Sequence, residues 1–272
     1  MRNATNKVVL ITGGSSGIGK AVGIHLTKKG YKVYGTTRNK SNYSDFKHFE
    51  LLELDVTKAE TIQTAIQELL SRESKVDVLV NNAGIGITGP VEEVADDEIV
   101  KHFETNYFGA IKVMKGVLPQ MREQKSGLII NVTSIAGHMG LPFRGIYSAS
   151  KAALEITTEA MRMETKAFGI HITNLAPGDF ATNIAGGRFH VPVIKGSAYE
   201  EGYRKTLELM DEHVDSGDDP SMVGLVVEKI INTSNPRIHY KVGAFLQKFS
   251  VKLKAFLPDK TFEKMLLNHY KL

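Results

Sequence analysis

The sequence predicts a doubly wound α/β fold, with seven parallel strands in one sheet and helices on both of its faces. Two observations predict it. Short apolar runs suited to strands buried on both faces recur along the 272 residues, with helical patterns between most of them. A glycine-rich turn, Thr12-Gly13-Gly14-Ser15-Ser16-Gly17-Ile18-Gly19, joins the first apolar run to the first helical pattern.

Strands are expected at Lys7 to Thr12, Lys32 to Thr36, Phe49 to Leu54, Val76 to Val80, Leu128 to Val132, His171 to Leu175 and Arg237 to Val242. Helices are expected at about Gly17 to Lys28, Thr57 to Leu70, Asp96 to Met121, Tyr147 to Phe168 and Pro220 to Thr233. No repeat, low-complexity tract or long linker interrupts this order, so one domain over residues 1–272 is expected. Residues 181–217 break the rhythm, with several glycines around a possible helix from Tyr199 to Val214. So long an excursion reads as a substrate lid, although an ordinary surface insertion would look alike.

The composition, 42% hydrophobic and 24% charged, is that of a globular chain and excludes disordered and fibrous classes. With no cysteine, disulfides, thiolate metal sites and cysteine nucleophiles are excluded, and no metal site is expected. The N-terminal apolar run is short and ends in glycines, unlike a signal peptide, and no run of about 18 apolar residues occurs. A cytoplasmic setting is the expectation. The net charge of +4 is uneven: from Arg237 onward eight cations face two carboxylates, leaving the preceding chain slightly acidic. That distribution argues against a nucleic-acid partner.

Between a strand and a helix, the Thr12 to Gly19 turn is a Rossmann-type dinucleotide site. Glycines let the backbone approach a pyrophosphate, and the positive end of the next helix favours the anion. Gly13, Ser15, Ser16, Gly17, Ile18 and Gly19 are the candidate contacts. An acidic residue about twenty positions further on would hold a free ribose 2′-hydroxyl, but that place holds Thr37, followed by Arg38. A guanidinium without a carboxylate favours NADP(H). Arg38 as a solvated surface residue is the alternative.

Tyr147 and Lys151 lie i, i+4 apart on one face of a predicted helix, and Ser134 lies just past the carboxyl end of a buried strand. Together with Asp55-Val56, Asn81-Asn82-Ala83-Gly84 and Pro177-Gly178, each placed after a strand, this ordered set resembles the short-chain dehydrogenase/reductase family. The resemblance is to its short single-domain branch, extends over nearly the whole chain, and leans toward hydroxysteroid and retinol dehydrogenase-like members. It implies that Asp55 and Val56 contact the adenine, that Asn82, Ala83 and Gly84 line the cofactor cleft, and that Pro177 and Gly178 admit the nicotinamide. Thr182, reached through Asp179-Phe180-Ala181, matches the family pattern loosely and would reach the carboxamide or phosphates. Asn106 corresponds to the asparagine that holds a water against the catalytic lysine. Each also has a plainer reading: Asp55 as a helix N-cap before Thr57, the Asn-Asn-Ala-Gly run as a strand terminator, and Asn106 as a bonded core residue.

Reducing a carbonyl needs a hydride on carbon and a proton on oxygen in a water-poor site. The phenol of Tyr147 can give that proton. A cation nearby favours the phenolate needed for the reverse oxidation, which is the part Lys151 would play; Ser134 would fix the substrate oxygen. The family resemblance adds a bond from Lys151 to the nicotinamide ribose. Substrate choice is expected in the Ile135 to Ile146 loop, with Met139, Leu141 and Phe143, and in the lid, for a lipophilic carbonyl or secondary alcohol. His138 in that loop reads as a solvated residue rather than a substrate contact. In the basic extension, about residues 243–272, Phe245, Leu246, Phe249, Leu253, Phe256 and Leu257 recur at helical spacing among lysines. Packing on the protein or in a homo-oligomer is expected ahead of contact with a membrane surface. A catalytically silent NADP-sensing or interaction protein on the same fold is the alternative function.

Overall fold

The computed structural model describes residues 6–180, 188–215 and 218–272. Its centre is a seven-stranded sheet in which every pair is parallel. In chain order the strands and helices up to the middle of the chain are β1 (Val8–Ile11), α1 (Gly17–Lys28), β2 (Lys32–Thr37), β3 (Glu50–Glu53), α2 (Ala59–Glu73), β4 (Val78–Asn81), β5 (Ile87–Thr88), α3 (Asp96–Phe103), α4 (Gly109–Glu123) and β6 (Gly127–Val132). There follow α5 (Gly145–Glu164), β7 (Ile170–Pro177), β8 (Phe189–His190), α6 (Glu200–Asp215), α7 (Ser221–Ile231), β9 (His239–Val242), α8 (Phe245–Phe256) and α9 (Asp259–Tyr270).

Strand order in the sheet is β3-β2-β1-β4-β6-β7-β9, so the winding reverses between β1 and β4. Such a switch point opens a crevice beyond the carboxyl ends of the strands, where ligands bind. β1 shows why the sheet must be covered twice. Val8 and Leu10 face a core built with α2 and α4, while Val9 and Ile11 face one built with α1 and α7, and all four are wholly buried. The seven predicted strands are all present, with ends shifted by one or two residues.

Three expectations are corrected. The predicted Asp96 to Met121 helix is interrupted by a π-helical turn, Glu104–Phe108, centred on Asn106. Asp55 does not cap α2: its Oδ1 accepts from the amide and hydroxyl of Thr57, at 3.0 and 2.8 Å, and this turn delays the helix to Ala59. The excursion contains a short strand unseen in the sequence, β8, which pairs in parallel with β5. Tyr203 of α6 anchors it, donating its hydroxyl to the carbonyls of Thr88 and Val191.

The tail packs on the body of the chain in part. Leu253 and Leu257 pack on Ile135, Met139 and Phe262 as expected, but Phe245, Leu246, Phe249 and Phe256 remain exposed. The six span about 120° of arc on a helix that advances 100° per residue, and only the Leu253 and Leu257 edge of that arc meets the body. Among the described residues no helix is long and apolar enough to cross a membrane.

Candidate active site

Three connected spaces lie at the carboxyl end of the sheet. The first is a cleft of about 440 Å³ at the switch point. Gly13, Ser15, Ser16, Gly17 and Ile18 form one wall, Arg38 with Thr37 closes one end, and Asp55, Val56, Asn82, Ala83 and Gly84 form the other side. Gly13 and Gly17 take φ of +64° and +51°, a region that glycine enters without penalty. The Ser16 side chain makes no cap bond to α1 and the first turn of α1 has no acidic residue, so its amides and dipole face the cleft uncompensated. These features fit a dinucleotide pyrophosphate.

Gly19 lines neither this cleft nor its neighbour; it packs beneath the turn. A Cβ there would lie 2.4 Å from the Gly13 carbonyl oxygen and 2.5 Å from Asn82 Nδ2. Asn82 in turn staples the turn to β4, its Nδ2 donating to the carbonyls of Thr12 and Gly13 at 3.0 and 3.2 Å. Thr12 Oγ1 accepts from the amides of Asn82 and Ala83.

The second space, about 90 Å³, joins the first through Ile18, Asn82 and Gly84. It brings together Ser134, Tyr147, Lys151, Pro177, Gly178 and Phe180. Ser134 ends the β6 crossover, and its Oγ accepts from the amide of Ala136 at 3.2 Å, which fixes the hydroxyl at the start of a short 3₁₀ turn. Tyr147 and Lys151 follow on one face of α5. Lys151 Nζ donates to the Val132 carbonyl at 3.0 Å and stands 6.0 Å from the Tyr147 ring centre. Thr182 lies outside the described residues.

Asn106 touches neither space directly but sits behind Gly84, whose missing Cβ would lie 3.3 Å from Asn106 Oδ1 and 3.6 Å from Lys151 Nζ. Its amide grips Ile85 twice: Oδ1 accepts from the Ile85 amide at 2.8 Å and Nδ2 donates to the Ile85 carbonyl at 2.9 Å. The second Nδ2 proton goes to His102 Nε2 at 3.0 Å, so that nitrogen must accept and the ring is neutral. Burial, with the charge of Lys151 added, holds the His102 imidazole down to about 4. His102 is a site residue the sequence reading missed; its signal was the i, i+4 spacing to Asn106.

Arg144 and Arg188 were missed as well. Both line the second space, and the Arg144 guanidinium lies 5.1 Å from the Tyr147 ring centre. His138 turns away from the site and is not solvated. Its Nδ1 meets Glu155 Oε2 at 3.1 Å, while Thr133 Oγ1 donates to Glu155 Oε1 at 2.8 Å. Burial pushes the Glu155 carboxyl up to about 7 and the His138 imidazole down to about 4, so between those pH values the contact is a neutral hydrogen bond.

The third space is a chamber of about 380 Å³ with a mainly apolar wall, sharing Ser134, Gly178 and Asp179 with the second space. Met139 and Leu141 line it as expected; Phe143 instead packs on Tyr203. The far wall comes from α8 and α9, through Leu246, Phe249, Leu253, Phe262 and Leu266.

A cleft fitted to a dinucleotide opens on a tyrosine, lysine and serine, and the short chain dehydrogenase family matches residues 7–190. The chain belongs to the short-chain dehydrogenase/reductase family. It is 36% identical over 266 residues to a 3-ketodihydrosphingosine reductase of Bacteroides thetaiotaomicron, covering 97% of this chain and 98% of that one. Among solved structures, a short-chain dehydrogenase from Streptomyces avermitilis superposes with a TM-score of 0.81 at 31% identity, over 96% of this chain and 97% of that one. An alcohol dehydrogenase from the archaeon Thermococcus sibiricus, complexed with 5-hydroxy-NADP, gives 0.72 at 25% identity over 88% and 97%. As a member of this family the chain is an oxidoreductase acting on CH–OH or C=O groups of small molecules, and its cleft suits the nicotinamide dinucleotides held by the family.

Proposed function

We propose that this short-chain dehydrogenase/reductase uses NADP(H) to interconvert lipophilic ketones and secondary alcohols. The bound nicotinamide would supply or accept the hydride. Tyr147 gives the proton to the substrate oxygen in reduction and takes it back in oxidation. Lys151 sets its cation beside the phenol, and Ser134 orients the oxygen. Asn106 holds the loop at Ile85 against the lysine.

The observation that carries the substrate class is the apolar chamber opening directly on Ser134. The sequence similarity to a 3-ketodihydrosphingosine reductase supports it. Arg38 on the cleft rim beside the uncharged Thr37 supports NADP(H), as does the relative complexed with 5-hydroxy-NADP. A silent sensor would have no use for Ser134, Tyr147 and Lys151 around one space. Residues 188–215, which supply Arg188, Leu209 and Met210 to the chamber, act as part of the substrate lid. Exposed Ile156 and Met163 on α5 suit self-association. A cytoplasmic setting belongs to the same reading.

The test is a series of ketones of rising alkyl length, with 3-ketodihydrosphingosine among them, assayed with NADPH and NADH by nicotinamide absorbance. Each buried methylene contributes about 0.8 kcal/mol, so kcat/KM should climb about fourfold per carbon until the chamber is full. Equal activity on short polar ketones would overturn the substrate class.

A further inference from the structure

We propose that α8 is a docking face for an anionic bilayer, placed at the mouth of the apolar chamber. A surface helix ordinarily hides its apolar stripe and shows its charges. α8 shows both. Phe245, Phe249 and Phe256 stand at i, i+4 and i+11, within about 40° of arc on a helix that advances 100° per residue, and they are 73%, 40% and 84% exposed. The Phe245 and Phe249 rings stack at 5.8 Å, and Leu246 beside them is 76% exposed. The helix does not need this stripe to stay in place, because Val251, Leu253 and Leu257 hold its other side to the body.

Charge selects the occupant. Lys252 borders the stripe, about 20° from Phe245, and Lys248 lies on its flank, and α8 has no carboxylate of its own. Of its three lysines, Lys254 is engaged by Asp259 at 3.1 Å. In α9 the exposed Lys260 and Lys264 are matched by the exposed Asp259 and Glu263, so the positive charge of the face is that of α8 itself. Aromatic rings that enter a bilayer interface, beside cations that reach its phosphates, are the pattern of an in-plane amphipathic helix. A second copy of the chain suits the face poorly, since a two-fold contact would set Lys248 and Lys252 against themselves with no acid to meet them.

Position gives the docking a purpose. Leu246, Phe249 and Met265 are exposed and also line the chamber that leads to Ser134. A lipophilic molecule dissolved in the bilayer would pass into the chamber without crossing water. The docking itself does not depend on the substrate reading, because it can be measured with no substrate present.

The experiment is co-sedimentation of the full chain with vesicles of phosphatidylcholine alone and of phosphatidylcholine mixed with phosphatidylglycerol, at about 0.1 M and about 1 M salt. The protein should pellet with the mixed vesicles at low salt and stay in solution in the other arms. Lys248→Gln with Lys252→Gln should weaken the partitioning about thirtyfold. Phe245→Ser with Phe256→Ser should weaken it about tenfold or more while turnover of a water-soluble ketone is kept, since neither ring lines the chamber. No pelleting with mixed vesicles, or pelleting unchanged by both double variants, would overturn the proposal. So would a shift from dimer to monomer on Phe245→Ser with Phe256→Ser, which would identify the face as a contact between copies. Docking that persists when only short polar ketones are reduced would overturn the substrate class and leave the docking face standing.

Discussion

Replacing Arg38 with alanine tests the cofactor reading at the one position where a phosphate and a hydroxyl would be told apart. Arg38 lies exposed on the rim of the 440 Å³ cleft, beside Thr37, which is buried and carries no charge. A hydrogen bond to a charged group contributes about 1.5 to 3 kcal/mol, and solvent screening at an exposed site places this one near the lower end. At about 1.5 kcal/mol, Arg38→Ala should weaken NADPH about tenfold and leave NADH nearly unchanged. Thr37→Asp should act from the other side, repelling the 2′-phosphate and accepting from a free 2′-hydroxyl, so that preference moves toward NADH. Titration of nicotinamide fluorescence gives both dissociation constants, and repeating it at about 1 M salt should shrink the NADPH advantage. If the unaltered protein binds NADH as tightly as NADPH, or Arg38→Ala weakens both equally, the guanidinium has no part in the choice.

Tyr147→Phe should lower turnover by about 10²-fold or more while NADPH affinity is kept, because only the proton donor is lost; retained turnover would remove Tyr147 from the chemistry. Gly19→Ala should cost about 1 to 3 kcal/mol of stability and weaken the cofactor, since its Cβ would meet the Gly13 carbonyl and Asn82, whereas Gly140→Ala, with nothing within 4 Å, should melt like the parent. A Gly19→Ala melt equal to the parent's would show that the turn yields. His102 is held down to about 4 against an ordinary 6.5, so its contribution is complete above 6.5 and is lost as pH falls through 4. That amounts to about 3 kcal/mol, and His102→Gln, which keeps an acceptor for Asn106, should flatten this loss in urea titrations across the window. Glu155, raised to about 7, acts in the opposite sense, costing stability as pH climbs from about 4.5 to 7, so the comparison of variant with parent is the measurement that counts. Parallel pH slopes would falsify the buried neutral imidazole.

Much of the site could be read in advance because its parts are local. A turn between strand and helix, an i, i+4 pair and a serine after a strand each lie within a few residues, and the parallel topology delivers them to one edge of the sheet. The residues overlooked or misread are those whose partners are distant in sequence. His102 is defined by Ser150, 48 residues away, as well as by Asn106. His138, read as solvated, is claimed by Glu155, and Arg144 and Arg188 come to one space from different segments.

Hydrophobic periodicity and turn chemistry, both local properties, therefore determined the seven strands, the main helices and the order of the family's motifs. Tertiary structure decided what local pattern leaves open. It broke the long helix at Asn106, because that side chain satisfies the Ile85 backbone 21 residues away better than a regular helix would. It also decided which face of α8 is buried: the pattern marks an apolar stripe, but only the packing of Val251, Leu253 and Leu257 against the body leaves three phenylalanines turned outward.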